Sequence, residues 1–122
     1  MLELPSLIVG CFLGGIARYA VSGAVARRIG ETFPWGTLVV NLSGAFAIGL
    51  LARAPVLGDA GARAALLTGF LGCYTTVSSL ALQTLFLWRA REWKRALLNL
   101  SGSALLGFAA CGLGLALGER LW

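Results

Sequence analysis

Residues 69–84 read GFLGCYTTVSSLALQT. They sit inside the third long apolar segment of the chain, yet they carry paired glycines, adjacent threonines, adjacent serines and a glutamine. Hydrocarbon offers such groups no hydrogen-bond partners. Polar side chains at that depth face a protein interior or a water-filled path. The stretch therefore reads as the lining of a site or pore within a membrane.

Outward from this stretch the chain divides into four apolar segments, Leu4 to Val25, Trp35 to Leu51, Ala62 to Trp88 and Leu97 to Leu117. Each approaches or exceeds the roughly 20 residues that cross a hydrocarbon core. The separators agree with this division. RRIGETFP ends in Pro34, a residue suited to a helix start. RAPVLGDAG is rich in turn formers. WRAREWKR is a charged hinge between Trp88 and Trp93, which suit the headgroup level. The fold expected is all-α and integral to the membrane, with four transmembrane helices in one domain spanning residues 1–122.

Composition supports the class. Hydrophobic residues make up 58% of the 122 and charged residues only 12%, with a mean hydropathy of +0.84; a soluble domain of this size could not bury so much apolar surface. The net charge of +5 does not point to nucleic acid, because the basic residues lie between the apolar segments, where they set membrane orientation. Six fall in the first and third connectors and three on the opposite side, a bias that favours both termini outside. Histidine is absent, and Cys11, Cys73 and Cys111 lie singly without metal-ligand spacing. They read as buried free thiols.

Gly10 and Gly14, Ser103 and Gly107, and Gly114 and Gly118 are small residues four apart, a spacing that lets helix backbones approach closely in lipid. Four helices enclose little volume, so oligomerisation is expected. Arg18, within GGIARYA, lies well inside the first segment and is read either as a structural arginine or as a charge that concentrates anions near a vestibule. Asn41 is an interhelical tie or a pore group, and Gly44 shares its face. Asn99 and Ser103 share a face of the fourth helix. In the third segment, Gly69, Gly72 and the threonine pair weaken the helix. A break near Gly72 to Thr75 would free carbonyls of the kind that hold ions in discontinuous membrane helices. A continuous helix is the other reading. No catalytic constellation is present, so an enzyme is not expected.

Together these motifs resemble the Fluc (CrcB-type) fluoride channel family. GGIARY at Gly14–Tyr19, PWGTLVVNLSGAFAIG at Pro34–Gly49, GFLGCYTTVSS at Gly69–Ser79 and ALLNLSGSALLG at Ala96–Gly107 stand in the family's order over nearly the whole chain. The resemblance implies an antiparallel dual-topology dimer with fluoride pores. It also implies a structural sodium ion at the dimer interface, held by backbone carbonyls at a third-helix break that maps to Gly72 and Cys73. The family's pore asparagine maps to Asn41, its pore hydroxyls to Ser78 and Ser79, its fourth-helix polar track to Asn99 and Ser103, and its buried arginine to Arg18. The family's TTFSTF appears here as TTVSSL, with Val77 and Leu80 in place of two phenylalanines, and a usual glutamate appears as Gln83. Phe46 and Tyr74 are candidate substitutes for the missing rings.

The function expected is passive export of fluoride across the cytoplasmic (inner) membrane, relieving fluoride toxicity, by a multi-pass homodimer. An antiparallel heterodimer, in which this chain is a variant subunit, stands second, alongside a non-conducting scaffold. A small proton-coupled multidrug transporter is disfavoured, because it needs a carboxylate within the membrane and Glu3, Glu31, Asp59, Glu92 and Glu119 all fall at ends or connectors.

Overall fold

The computed structural model describes residues 3–30 and 32–122; Met1, Leu2 and the connector carboxylate Glu31 lie outside the described residues. Every regular element among them is helical. The first helix, Glu3–Ile29, is 27 residues long and stops at Gly30, whose φ of +95° is open to glycine at little cost. The second, Trp35–Leu51, has 17 residues, near the lower limit for a span. Pro34 precedes its first helical residue rather than occupying it. The third runs Ala60–Arg89 and the fourth Trp93–Leu121. Three of the four are long and apolar enough to cross a membrane, with Trp35–Leu51 the shorter apolar helix.

The chain runs up and down. At one end Arg53 pairs with Glu119 at 3.2 Å and the Trp122 indole donates to the Leu50 carbonyl at 2.8 Å. At the other end Arg95 reaches the Thr32 carbonyl. The basic first and third connectors thus share one end of the protein. The third helix starts earlier than its hydropathy indicates because Asp59 caps it, its carboxylate accepting the Ala62 N–H at 2.8 Å. The last turn before the charged hinge ends on Arg91 at φ 61°, with Glu92 N–H returning to the Leu87 carbonyl, a helix stop usually built on glycine.

Two glycine seams hold the bundle. On the first helix, a Cβ at Gly10 would strike the Ala65 carbonyl and one at Gly14 the Phe70 carbonyl. Between the second and fourth helices, Gly49 lies against the Cys111 carbonyl, Gly114 against Phe46 and Gly118 against Leu50. Four small residues therefore do what their spacing implies. The Ser103–Gly107 pair divides: Ser103 is buried, whereas Gly107 faces open space.

The third helix is interrupted, but not where glycine would put the break. Its leading half comprises Ala60–Arg63, a π-helical stretch Ala64–Leu71 and a final turn Gly72–Tyr74; the trailing half is Val77–Arg89. Gly72 keeps ordinary helical angles, φ −62° and ψ −37°. Extended backbone appears instead at Thr75 (φ −78°, ψ 158°) and Thr76 (φ −150°, ψ 123°). The break thus falls at the end of the Gly72–Thr75 range expected from the sequence, just beyond the Gly72 and Cys73 that the resemblance implies, and the cause is side-chain competition rather than glycine's freedom. Thr75 donates both its N–H and its hydroxyl to the Leu71 carbonyl, each at 3.1 Å, which closes the leading half. The Thr76 hydroxyl accepts the Ser79 N–H at 3.1 Å, capping the trailing half.

The seams carry a direct expectation. Gly114→Val places two methyl groups against the Phe46 backbone and should destabilise the protein by about 1–3 kcal/mol or more. Thermal unfolding in detergent would show it, and an unchanged melting temperature would mean that the second and fourth helices do not meet there.

Candidate functional site

The break is built around one side chain. Asn41 donates from Nδ2 to the Thr76 carbonyl at 2.9 Å and accepts the Thr76 N–H on Oδ1 at 2.8 Å. A carboxamide has the donor and acceptor of a peptide unit, so Asn41 pairs with Thr76 as a strand neighbour would. Gly44, on the same face of the second helix, leaves room for the Thr75 methyl and the Tyr74 ring. The shared face read from the sequence is therefore the face that receives the break. Asn41 spends its acceptor and one donor here, and one Nδ2 hydrogen remains.

Beside this clamp lies a cavity of about 190 Å³, lined by Gly15, Arg18, Tyr19, Ser22, Thr37, Val40, Thr76 and Ser79. Among the described residues Arg18 pairs with no carboxylate. The Ser22 hydroxyl is spent on the Arg18 carbonyl at 2.8 Å. Thr37 is 7% exposed, and neither its hydroxyl nor that of Ser79 is hydrogen-bonded to the described residues. A guanidinium and two free hydroxyls make an electropositive, donor-rich pocket. It suits a small anion.

Tyr19, Ser22, Thr37 and Ser79 also line a larger space of about 730 Å³ that reaches Arg27, Phe33, Gln83 and Phe86. The two cavities thus share walls and form a vestibule leading to the break. Gln83 lies one turn beyond Ser79 and keeps a buried Oε1 without a hydrogen-bond partner. Among the described residues no aspartate or glutamate lines either space.

The remaining candidate pore residues line neither space. Val77 is 80% exposed and Ser78 is exposed too, its hydroxyl 3.2 Å from that of Thr76. Leu80 is half-buried, and its carbonyl accepts the Thr84 hydroxyl at 2.7 Å. Asn99, 1% exposed, donates to Thr84 Oγ1 at 3.0 Å, tying the fourth helix to the trailing half. Ser103, 9% exposed, keeps an Oγ with no partner. Within the protomer the fourth-helix polar track is packed against protein, outside both cavities. Tyr74 is buried at 9%, stacks on Phe70 at 5.9 Å and meets the Ser43 hydroxyl at 2.9 Å, so its ring is committed to the interior.

Sequence reasoning did not single out Thr37 and Ser22 as lining. Thr37 stands one turn before Asn41, the signal that could have found it. Among the described residues no group of His, Cys, Asp and Glu could hold a metal ion. Backbone carbonyls could. The last helical bond of the leading half is Thr75 N–H to Leu71, and the usual donor to the Gly72 carbonyl, Thr76 N–H, goes to Asn41. The carbonyls of Gly72 and Cys73 thus end a half-helix at its negative pole. That donor set fits a hard monovalent cation such as sodium.

Comparison with known proteins agrees with this architecture. Residues 6–115 match the family model described as CrcB-like protein, Camphor Resistance (CrcB). The chain is 52% identical over 121 residues to the fluoride-specific ion channel FluC 2 of Bradyrhizobium diazoefficiens, covering 95% of this chain and 88% of that one. It is 49% identical over 113 residues to FluC of Opitutus terrae, covering 88% and 86%. With FluC of Magnetococcus marinus it shares 39% over 123 residues, covering 98% and 100%. Matched along nearly its whole length, this chain belongs to the CrcB-like family.

Proposed function

We infer that this chain is a fluoride-specific ion channel, a passive pore that lets fluoride leave the cell across the cytoplasmic membrane. The observation that carries the reading is the cavity where Arg18, with no carboxylate partner among the described residues, shares walls with the hydroxyls of Thr37 and Ser79. Fluoride holds its hydration shell tightly, so a pore must offer hydrogen-bond donors in exchange for water. Hydroxyls, amides and helix N–H groups do so, while a guanidinium raises the local anion concentration. A carboxylate would repel the ion, and among the described residues none lines the path. The same absence weighs against a proton-coupled multidrug transporter, whose chemistry turns on a membrane carboxylate.

The working form is an antiparallel dual-topology homodimer. What supports it is the outer face of the break, where Gly72, Val77 and Ser78 are exposed at a depth where lipid cannot satisfy backbone groups. A second copy packed there covers them and adds its own walls to the pore. Sodium bound by the Gly72 and Cys73 carbonyls of both copies would supply a fixed positive charge that pins the two breaks together.

Fluoride efflux from proteoliposomes containing this chain alone tests the reading. The wild-type protein should release fluoride and retain chloride. Arg18→Gln should slow release by roughly tenfold or more, the scale at which a focused charge affects ion capture. No efflux from well-folded dimers would contradict a self-sufficient channel and leave a subunit that needs a different partner chain. Unchanged flux in Arg18→Gln would remove that residue from the path.

A further inference from the structure

We propose that Asn41 is a positioning residue, whose part in conduction is to hold the third helix open at Thr76. The proposal rests on the channel reading above, but its geometry stands apart from it. Both hydrogen bonds of the Asn41 carboxamide go to the backbone of a single residue, Thr76, at 2.9 and 2.8 Å. They take the N–H that a continuous helix would return to the Gly72 carbonyl. They also satisfy a carbonyl that would otherwise lie bare at the break, in an environment where an unpaired backbone group costs several kcal/mol.

The consequences run both ways along the third helix. Towards its start, the diverted N–H leaves the Gly72 carbonyl at the end of the leading half without its usual donor. Towards its end, the fixed Thr76 presents its hydroxyl to the Ser79 N–H at 3.1 Å and sets the direction in which the trailing half leaves the cavity. One side chain on the second helix thereby couples the carbonyl end of the break to its anion-facing end. Substitution at Asn41 acts on both through Thr76.

Val77 offers a way to separate this role from direct contact with the ion. It is the first residue of the trailing half, where proline is well tolerated, and its N–H makes no hydrogen bond to the described residues. Proline there restricts the preceding residue to extended backbone. The angles of Thr76, φ −150° and ψ 123°, lie within that region. Val77→Pro therefore holds the break by covalent means, without Asn41.

Fluoride efflux is measured for wild type, Asn41→Leu, Val77→Pro and the double variant, with hydrogen exchange across residues 72–80 as the second readout. Asn41→Leu should lose flux, and its Thr76 and Ser79 amides should exchange roughly tenfold faster, the scale of losing two net hydrogen bonds. The double variant should conduct as well as Val77→Pro alone. A double variant that stays as impaired as Asn41→Leu would overturn the proposal in favour of direct ion contact. So would unchanged exchange in Asn41→Leu, a readout that holds even if a proline variant fails to fold. Absence of efflux in wild type would instead strike the channel reading, and the exchange measurement would then decide the clamp by itself.

Discussion

A polypeptide in hydrocarbon must satisfy its own backbone, and the rest of this structure depends on how it does so where a helix stops mid-membrane. At Thr75 and Thr76 the regular ladder fails. Leu71 receives both donors of Thr75, Asn41 takes both backbone groups of Thr76, and the Thr76 hydroxyl caps the trailing half. Without those substitutions the break would be too costly to persist, and without the break there would be neither a carbonyl end nor a helix start beside Arg18.

The glycine seams make that arrangement reachable. Gly10 and Gly14 bring the first helix against the backbone of the leading half, and Gly49, Gly114 and Gly118 do the same for the second and fourth helices. Since lipid provides little hydrophobic drive between helices, close backbone contact and interhelical hydrogen bonds hold them together. The Asn99–Thr84 bond then fastens the trailing half to the fourth helix. Arg18 and Thr37 from the first two helices meet Ser79 from the third around a space that none of them could form alone.

Much of this was legible in the sequence, and the limits have physical causes. The four spans were readable because apolar runs and charged separators are local signals. Gly10, Gly14, Gly114 and Gly118 were readable because a four-residue spacing defines a face. The break was readable only as a range, Gly72 to Thr75, because its exact position is set by Asn41, 35 residues away, whereas the glycine at Gly72 simply continues the helix. Arg18 was recognised as a charge well inside the first apolar segment, which the structure leaves half-buried, and Ser79 as a candidate pore hydroxyl. Thr37 and Ser22 were passed over, since lone hydroxyls in apolar helices commonly bond back to their own turn, as Ser22 does. Only packing reveals that Thr37 keeps its hydroxyl for the cavity. Asn99 and Ser103, which share a face in sequence, are directed into the protomer interior by the same packing.

The central claim is that an anion is received at the break, between Arg18 and the start of the trailing half. Nuclear magnetic resonance of the isotopically labelled protein in lipid nanodiscs, as fluoride replaces chloride at constant ionic strength, tests it most directly. The Arg18 side chain and the hydroxyl-bearing residues Thr37 and Ser79 should shift in a saturable way, while the Asn99 side chain stays fixed. Saturable shifts centred on Asn99 and Ser103, with Arg18 and the break unmoved, would contradict it.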